Sequence, residues 1–344
     1  MVTENLHTSK AKPWKKKSLP RRILAIRLQA IGDTVITLPY LQYLKNHLPD
    51  NTVLDLLTRD ESNNIPRSIS LFNNIYSIGG GRSLKKQLLY AALLLPKLLL
   101  NRYDVVIDLQ NNEVSNLVRR SLFPKAWSSF DRFSPIPAGE RTQFTIEAIG
   151  LGKCGIDSGF RFKKNEDETD LLIKNGWDKK NDLIVLNPAG AFENRNWPMD
   201  HYINFVMIWL QHFPGTQFLI LGTKFIEAKA SYIKNKLADR LINLVDKTTA
   251  AQAFSILQKT KLVISEDSGL MHMAWVSGIP TIAIFGSTRS DWAKPLGDHT
   301  FFFDSSDLEC GNCMEAICKY GTNHCMVRIT PEMVFEKSVI LLDK

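Results

Sequence analysis

Short apolar runs alternate with longer amphipathic segments along the whole chain, and nothing else constrains the fold as tightly. Such alternation is the mark of parallel sheets covered by helices. In the first half, strands are expected at residues 23–28, 53–58 and 104–109, and helices at 33–47, 84–101 and 112–120. A polar stretch, 163–170, then interrupts the pattern. In the second half, strands are expected at 183–188, 217–221, 242–245, 261–265 and 281–285. Helices are expected between them at 201–212, 225–238, 249–258 and 270–277. A chain of 344 residues suits two domains. The expected division is a basic arm at 1–21, a first α/β domain at 22–165 and a second at 166–344. Two doubly wound, Rossmann-like halves with ligand loops at their strand C-termini imply a cleft between them.

With 43 Lys+Arg against 35 Asp+Glu, the net charge is +8, which favours an anionic partner: nucleic acid, a phosphate-bearing substrate or a membrane surface. The arm concentrates this charge in Lys10, Lys12, Lys15, Lys16, Lys17, Arg21 and Arg22, with no acid between them. It reads as a solvated basic arm rather than a secretory signal, because the apolar run that follows is only strand-length and contains Arg27. The most hydrophobic stretch, 84–100, holds Pro96 and Lys97 and is shorter than the roughly 20 apolar residues of a spanning helix. It suits a buried helix or one lying on a bilayer.

Three strand-end loops carry candidate chemistry. The first strand ends in Gln29-Ala30-Ile31-Gly32-Asp33, which places a carboxylate at a crevice edge, although an Asp here also serves as a helix cap. Pro39, six residues on, is expected to kink the helix or delay its start. A second loop runs Asn187-Pro188-Ala189-Gly190-Ala191 and closes with Arg195-Asn196-Trp197-Pro198. Gly190 permits close backbone approach and Arg195 offers a planar cation for phosphate. The strongest signal is Ser265-Glu266-Asp267-Ser268-Gly269-Leu270-Met271-His272, a strand end opening into a helix. Free N–H groups at a positive helix end form a natural diphosphate site. Asp267 would repel phosphate, so it reads as a loop-fixing cap or a contact to nucleotide hydroxyls. The loop Gly222-Thr223-Lys224 adds Glu227 as a candidate for ribose hydroxyls. The chain lacks Gly-x-Gly-x-x-Gly after its first strand and Gly-x4-Gly-Lys-Ser/Thr throughout, which weakens dinucleotide-oxidoreductase and P-loop readings.

Cys310, Cys313, Cys318 and Cys325 fall within sixteen residues, while Cys154 stands apart. The spacing C-x2-C-x4-C-x6-C admits a structural zinc, a reduced cluster or a reversible disulfide.

Taken together, Arg27 to Pro39 with Gly32-Asp33, the 103–109 strand, Asn187-Pro188 to Trp197-Pro198, Asp267-Ser268-Gly269 with His272, Phe285-Gly286-Ser287 and Cys325-Met326 resemble glycosyltransferase family 9, the lipopolysaccharide heptosyltransferases. The resemblance implies a GT-B fold and an inverting, metal-independent transfer from an ADP-heptose donor to a lipid-anchored core sugar. It puts the general base on Asp33. It puts donor binding on Gly190, Ala191, Arg195, Glu227, Asp267, Ser268, Gly269 and His272. The sequence departs from well-known members at Ala189-Gly190-Ala191, where some carry hydroxyl residues, and at Arg195, where they carry Lys.

An acceptor rich in acidic groups would be met by first-half cations: Arg59, Arg67, Arg82, Lys85, Lys86, Arg119 and Arg120. Ordinary solvated charge is the competing reading for each. Their grouping around 84–100 implies peripheral attachment to the cytoplasmic leaflet of the inner membrane. Two rival functions remain: a GT-B transferase or epimerase using another nucleotide sugar, and a non-catalytic nucleotide- or nucleic-acid-binding protein. The latter has no helix-turn-helix, RNA-recognition or zinc-finger signature beyond charge.

Overall fold

The inner strands of each sheet are buried along nearly their whole length, which is why they read as unbroken apolar runs rather than as alternating ones. The computed structural model describes residues 10–163 and 168–343. The chain divides into two units, 1–163 and 164–344. The expected domain boundary at 165/166 lies outside the described residues, as does the arm before Lys10.

In the first unit the strands are β1 (Lys10–Lys12), β2 (Arg22–Ile26), β3 (Val53–Arg59), β4 (Ile75–Ile78), β5 (Val105–Asp108) and β6 (Ala126–Ser129). The helices are α1 (Ile31–Asn46), α2 (Asn64–Ser68), α3 (Leu84–Leu100), α4 (Glu113–Ser121) and α5 (Ala138–Glu147). The sheet order is β1-β6-β5-β2-β3-β4, parallel except for β1. The chain winds outward from β2 to β4, then returns to place β5 on the other side of β2. That reversal is a topological switch point, where α/β sheets bind ligands.

The second unit repeats the plan. Its strands are β7 (Leu183–Asn187), β8 (Gln217–Ile220), β9 (Leu241–Asn243), β10 (Leu262–Glu266), β11 (Thr281–Ile284) and β12 (Thr300–Phe303). Its helices are α6 (Glu168–Lys174), α7 (Met199–His212), α8 (Glu227–Leu237), α9 (Ala250–Leu257), α10 (Gly269–Val276), α11 (Ser290–Ala293), α12 (His324–Val327) and α13 (Pro331–Leu342). The order β12-β11-β10-β7-β8-β9 is wholly parallel, with its switch point between β7 and β10. Trp197, Tyr202, Phe205 and Trp209 pack with Ile184, Leu186 and Ile264 in its core. Caps mark several helix starts: Asn112 accepts from the Ser115 N–H, Thr249 from Gln252 and Thr330 from Met333.

Two expectations are corrected. Part of the basic arm is not a free arm, because Lys10–Lys12 pair antiparallel with Trp127–Ser129. Backbone pairing requires no apolar side chain, and lysines suit an edge strand. Pro39 neither delays nor ends its helix: α1 begins at Ile31 and runs through it. The Pro39 carbonyl accepts from the Asp157 N–H, 3.1 Å away. Strands β4, β6 and β12 were not among the expected strands: β4 (Ile-Tyr-Ser-Ile) and β12 (Thr-Phe-Phe-Phe) are apolar but only four residues long, and β6 lacks an apolar run. β6 reads Ala-Trp-Ser-Ser and buries both serines.

Candidate active site

At the switch point of the second unit, side chains from β7 and β10 knit two loops together. Asn187, the last residue of β7, donates through Nδ2 to Ser265 Oγ and Ser268 Oγ, each at 2.7 Å. Ser268 is the N-cap of α10, its Oγ accepting from the Met271 N–H. Gly269 and Leu270, the first helical residues, have N–H groups with no acceptor inside the helix. A Cβ on Gly269 would meet nothing within 4 Å, so this helix end is open.

The loop between Pro188 and Pro198 hangs from the fully buried carboxylate of Glu266. Gly190 N–H donates to Oε2 at 2.5 Å and Trp197 N–H to Oε1 at 2.7 Å. The Tyr202 hydroxyl donates to Oε1 at 3.2 Å. Lys229 Nζ donates to the Pro188 carbonyl at 3.0 Å and to Asn196 Oδ1 at 2.6 Å. Burial pushes the Glu266 carboxyl up to about 7, against the opposing pull of Lys229 and the N–H donors. Burial likewise lowers the Lys229 ammonium. Gly190 has no room for a side chain, since a Cβ would lie 2.5 Å from the Arg195 carbonyl oxygen and 2.8 Å from Glu266 Oε2.

Arg195 Nη1 lies 3.6 Å from Asp267 Oδ2, both side chains being mostly buried. Its guanidinium covers the Phe192 ring at 4.6 Å, and its Nε is buried without a partner. Asp267 therefore fixes the loop by pairing with Arg195, while the cap is Ser268. His272 is buried, and its Nδ1 accepts from Trp275 Nε1–H at 3.2 Å, which places the neutral ring's proton on Nε2. Ala191 is exposed on the loop. Glu227 stands exposed at the start of α8; the residue of that helix that reaches the loop is Lys229.

In the first unit, Asp33 is the third residue of α1. Its Oδ2 accepts from the Ala30 N–H at 2.9 Å, and its Oδ1 pairs with Arg27 Nη2 at 2.9 Å. The carboxylate is thus a helix-start acceptor, and its side chain remains 41% exposed and open to a substrate. Arg27 is buried, donates to the Leu109 carbonyl and lies 5.0 Å over the Phe130 ring. The Gln110 side chain accepts from the Leu28 and Gln29 N–H groups, tying the loop after β2 to the end of β5.

The expected acceptor cations separate into two groups. Arg119 is mostly buried, pairing with Asp108 at 3.3 Å and stacking 4.1 Å over Trp127. Arg59 is also buried, between Gln29 and Glu61. Arg67, Arg82, Lys85, Lys86 and Arg120 are exposed. Arg119 and Arg120 line a cavity of about 300 Å³ with Lys10 and Arg132, which excludes Arg67, Arg82, Lys85 and Lys86.

Cys310, Cys313, Cys318 and Cys325 all line one cavity of about 400 Å³ with His324. Burial, then the other three cysteines, push the Cys325 thiol up, whereas N–H groups of the 320–323 turn pull Cys318 down. Among the described residues, no three His, Cys, Asp or Glu side chains are gathered so as to hold a metal ion.

The sequence reading missed Glu266 as the loop anchor, Asn187 as the tie, Lys229, and Arg27 as the partner of Asp33. An acid ending an otherwise apolar strand was the one available signal for Glu266.

Two Rossmann-like α/β units, each with its polar loops gathered at a switch point, place the chain in the GT-B fold class. A family model described as glycosyltransferase family 9 (heptosyltransferase) matches residues 139–324, and the chain belongs to that family. It is 30% identical over 172 residues to a lipooligosaccharide heptosyltransferase 2 of Campylobacter jejuni, covering 48% of this chain and 52% of that one. The chain spans about half the length of the first curated relatives it matches. Among solved structures, a family 9 glycosyl transferase from Veillonella parvula has a TM-score of 0.76 at 17% identity, covering 94% of this chain and 97% of that one. The E. coli ADP-heptose lps heptosyltransferase II has a TM-score of 0.69 at 18% identity, covering 93% and 98%. Among the described residues, no helix is long and apolar enough to cross a membrane.

Proposed function

We propose that this protein is an inverting, metal-independent glycosyltransferase that moves heptose from an ADP-heptose-type donor to a lipopolysaccharide core or lipid A acceptor. Two loops, one in each unit, support the reading. One holds an oriented, solvent-reachable carboxylate, Asp33; the other offers an open helix start, Ser268–Gly269, beside Arg195.

The acceptor hydroxyl is a poor nucleophile until its proton is removed. Asp33 takes that proton as the oxygen bonds to the anomeric carbon of the donor sugar. The bond from that carbon to the diphosphate breaks, and its electron pair leaves with the nucleoside diphosphate. The α10 N–H groups and Arg195 stabilise the developing charge, with His272 as a further donor through Nε2. Attack opposite the departing diphosphate inverts the anomeric centre. Gly190 and Ala191 bring backbone close to the phosphates, and Glu227 is assigned to the nucleoside. No cofactor takes part in this scheme, and a zinc at the C-terminal cysteines would be structural. Exposed Arg67, Arg82, Lys85, Lys86 and Arg120 offer charge to an anionic saccharide. The protein works in the cytoplasm, against the inner leaflet that presents its lipid-linked acceptor. The likeness to the E. coli ADP-heptose lps heptosyltransferase II supports the choice of donor and acceptor class.

The test is transfer from ADP-heptose to a purified core acceptor, read by mass spectrometry, with the product anomer read by NMR and a chelator arm. Asp33→Asn is expected to bind ADP unchanged and to lose about 10²–10⁴-fold in turnover. Unimpaired turnover in that variant would remove Asp33 as the base. Transfer from a different nucleotide sugar alone would replace the donor.

A further inference from the structure

Helix α3 is apolar on the side that faces the core and on the side that faces away. Gln87, Ala91 and Leu98 are buried, and Leu88, Leu94 and Leu95 pack on the core of the first unit. On the outward side Leu89 is 59% exposed, Leu93 69% and Leu100 84%, with Tyr90 beside them at 47%. Residues 89, 93 and 100 recur at the spacing of one helical stripe. A helix of a water-soluble domain normally turns charge outward at these positions.

The charges that are present have one sign. From Gly81 to Tyr103 the chain carries Arg82, Lys85, Lys86, Lys97 and Arg102 and no Asp or Glu. They flank the leucines at both ends of the helix. The helix is 17 residues long, roughly 25 Å, and cannot span a bilayer about 30 Å thick.

We propose that the outward face of α3 is a membrane-docking surface that lies in the plane of an anionic lipid bilayer. Its leucines enter the acyl boundary while its lysines and arginines remain at the phosphate headgroups. The combination of an apolar stripe with charges of one sign along the helix and its two ends selects this occupant, although Asp60 of a neighbouring segment lies near Tyr90. A protein partner would have to match the stripe and supply acids at both ends, whereas an anionic bilayer presents both features everywhere. The proposal names the surface through which the enzyme meets the lipid that carries its acceptor. It rests on the functional reading for its purpose, but not for its test.

The experiment is flotation of the full chain with vesicles of phosphatidylethanolamine and phosphatidylglycerol, compared with neutral phosphatidylcholine vesicles, without nucleotide or acceptor. Binding is expected to anionic vesicles and to weaken as salt is raised. Leu93→Asp is expected to reduce partition at least tenfold, and Lys97→Gln about fivefold. Both positions are exposed, and circular dichroism checks that the variants fold. Leu93→Asp should still transfer sugar to a delipidated, water-soluble acceptor at the wild-type rate. Absence of transfer by the wild type would count against the functional reading and not the docking surface, whereas loss of that rate in Leu93→Asp alone would count against a face separate from the active site. Equal flotation of wild type and Leu93→Asp would overturn the proposal. So would failure of the wild type to float with anionic vesicles, or a wild-type self-association, seen by sedimentation, that Leu93→Asp abolishes.

Discussion

Replacing Glu266 with Gln tests whether one buried carboxyl sets the pH dependence of the second unit. In the native protein its pKa is lifted from 4.5 to about 7, a difference equivalent to about 3 kcal/mol. Between these values the folded chain retains a proton that the unfolded chain has released. The contribution is therefore fully present below pH 4.5 and is lost as pH rises through 7. The charged groups facing the carboxyl from other elements are few: Lys229 from α8, with the Tyr202 hydroxyl from α7. Glu266→Gln cannot ionise, so its stability lacks this slope. It also pays a constant penalty of about 1–3 kcal/mol, because its amide NH₂ faces one of the two N–H donors of Gly190 and Trp197. Urea unfolding of both proteins at pH 5, 6, 7 and 8, followed by tryptophan fluorescence, measures the difference. The deficit of the variant is expected to shrink by roughly 2–3 kcal/mol from pH 5 to pH 8. Parallel stability profiles for the two proteins would refute the reasoning.

Three other outcomes follow from the site. Gly190→Ala would push a methyl group against the Arg195 carbonyl and Glu266, so a stability loss of about 1–3 kcal/mol is expected in thermal unfolding, with weaker ADP binding by calorimetry. Arg195→Gln should weaken ADP binding about tenfold or more at low salt while leaving the fold intact, since its one ion pair, to Asp267, spans 3.6 Å; unchanged affinity would remove Arg195 from the phosphate site. Metal analysis of protein purified without chelator checks the cysteine cavity, and stoichiometric zinc lost in a Cys313→Ser variant is the result that establishes a structural ion there.

The alternation of apolar and amphipathic segments was enough to derive two parallel-sheet units, because a strand covered on both faces must be apolar throughout and its helix must be apolar on one face. The loops at Asp33 and after Asn187 and Glu266 were legible for the same reason: they lie where those runs stop. Local periodicity says nothing about which distant polar groups will meet. Gly190 and Glu266 are 76 residues apart in sequence, and Asn187 and Ser268 are 81 apart. Only the parallel pairing of β7 with β10 brings them within hydrogen-bonding distance. The same pairing logic, β2 beside β5, placed Arg27 between Asp33 and Leu109, while α4 delivered Arg119 to Asp108 and away from solvent. Lys10–Lys12 entered the sheet through backbone bonds alone, which no side-chain pattern records. The sequence determined the layers and the places where chemistry could sit; burial and long-range pairing decided which charges anchor the loops and which still face a substrate.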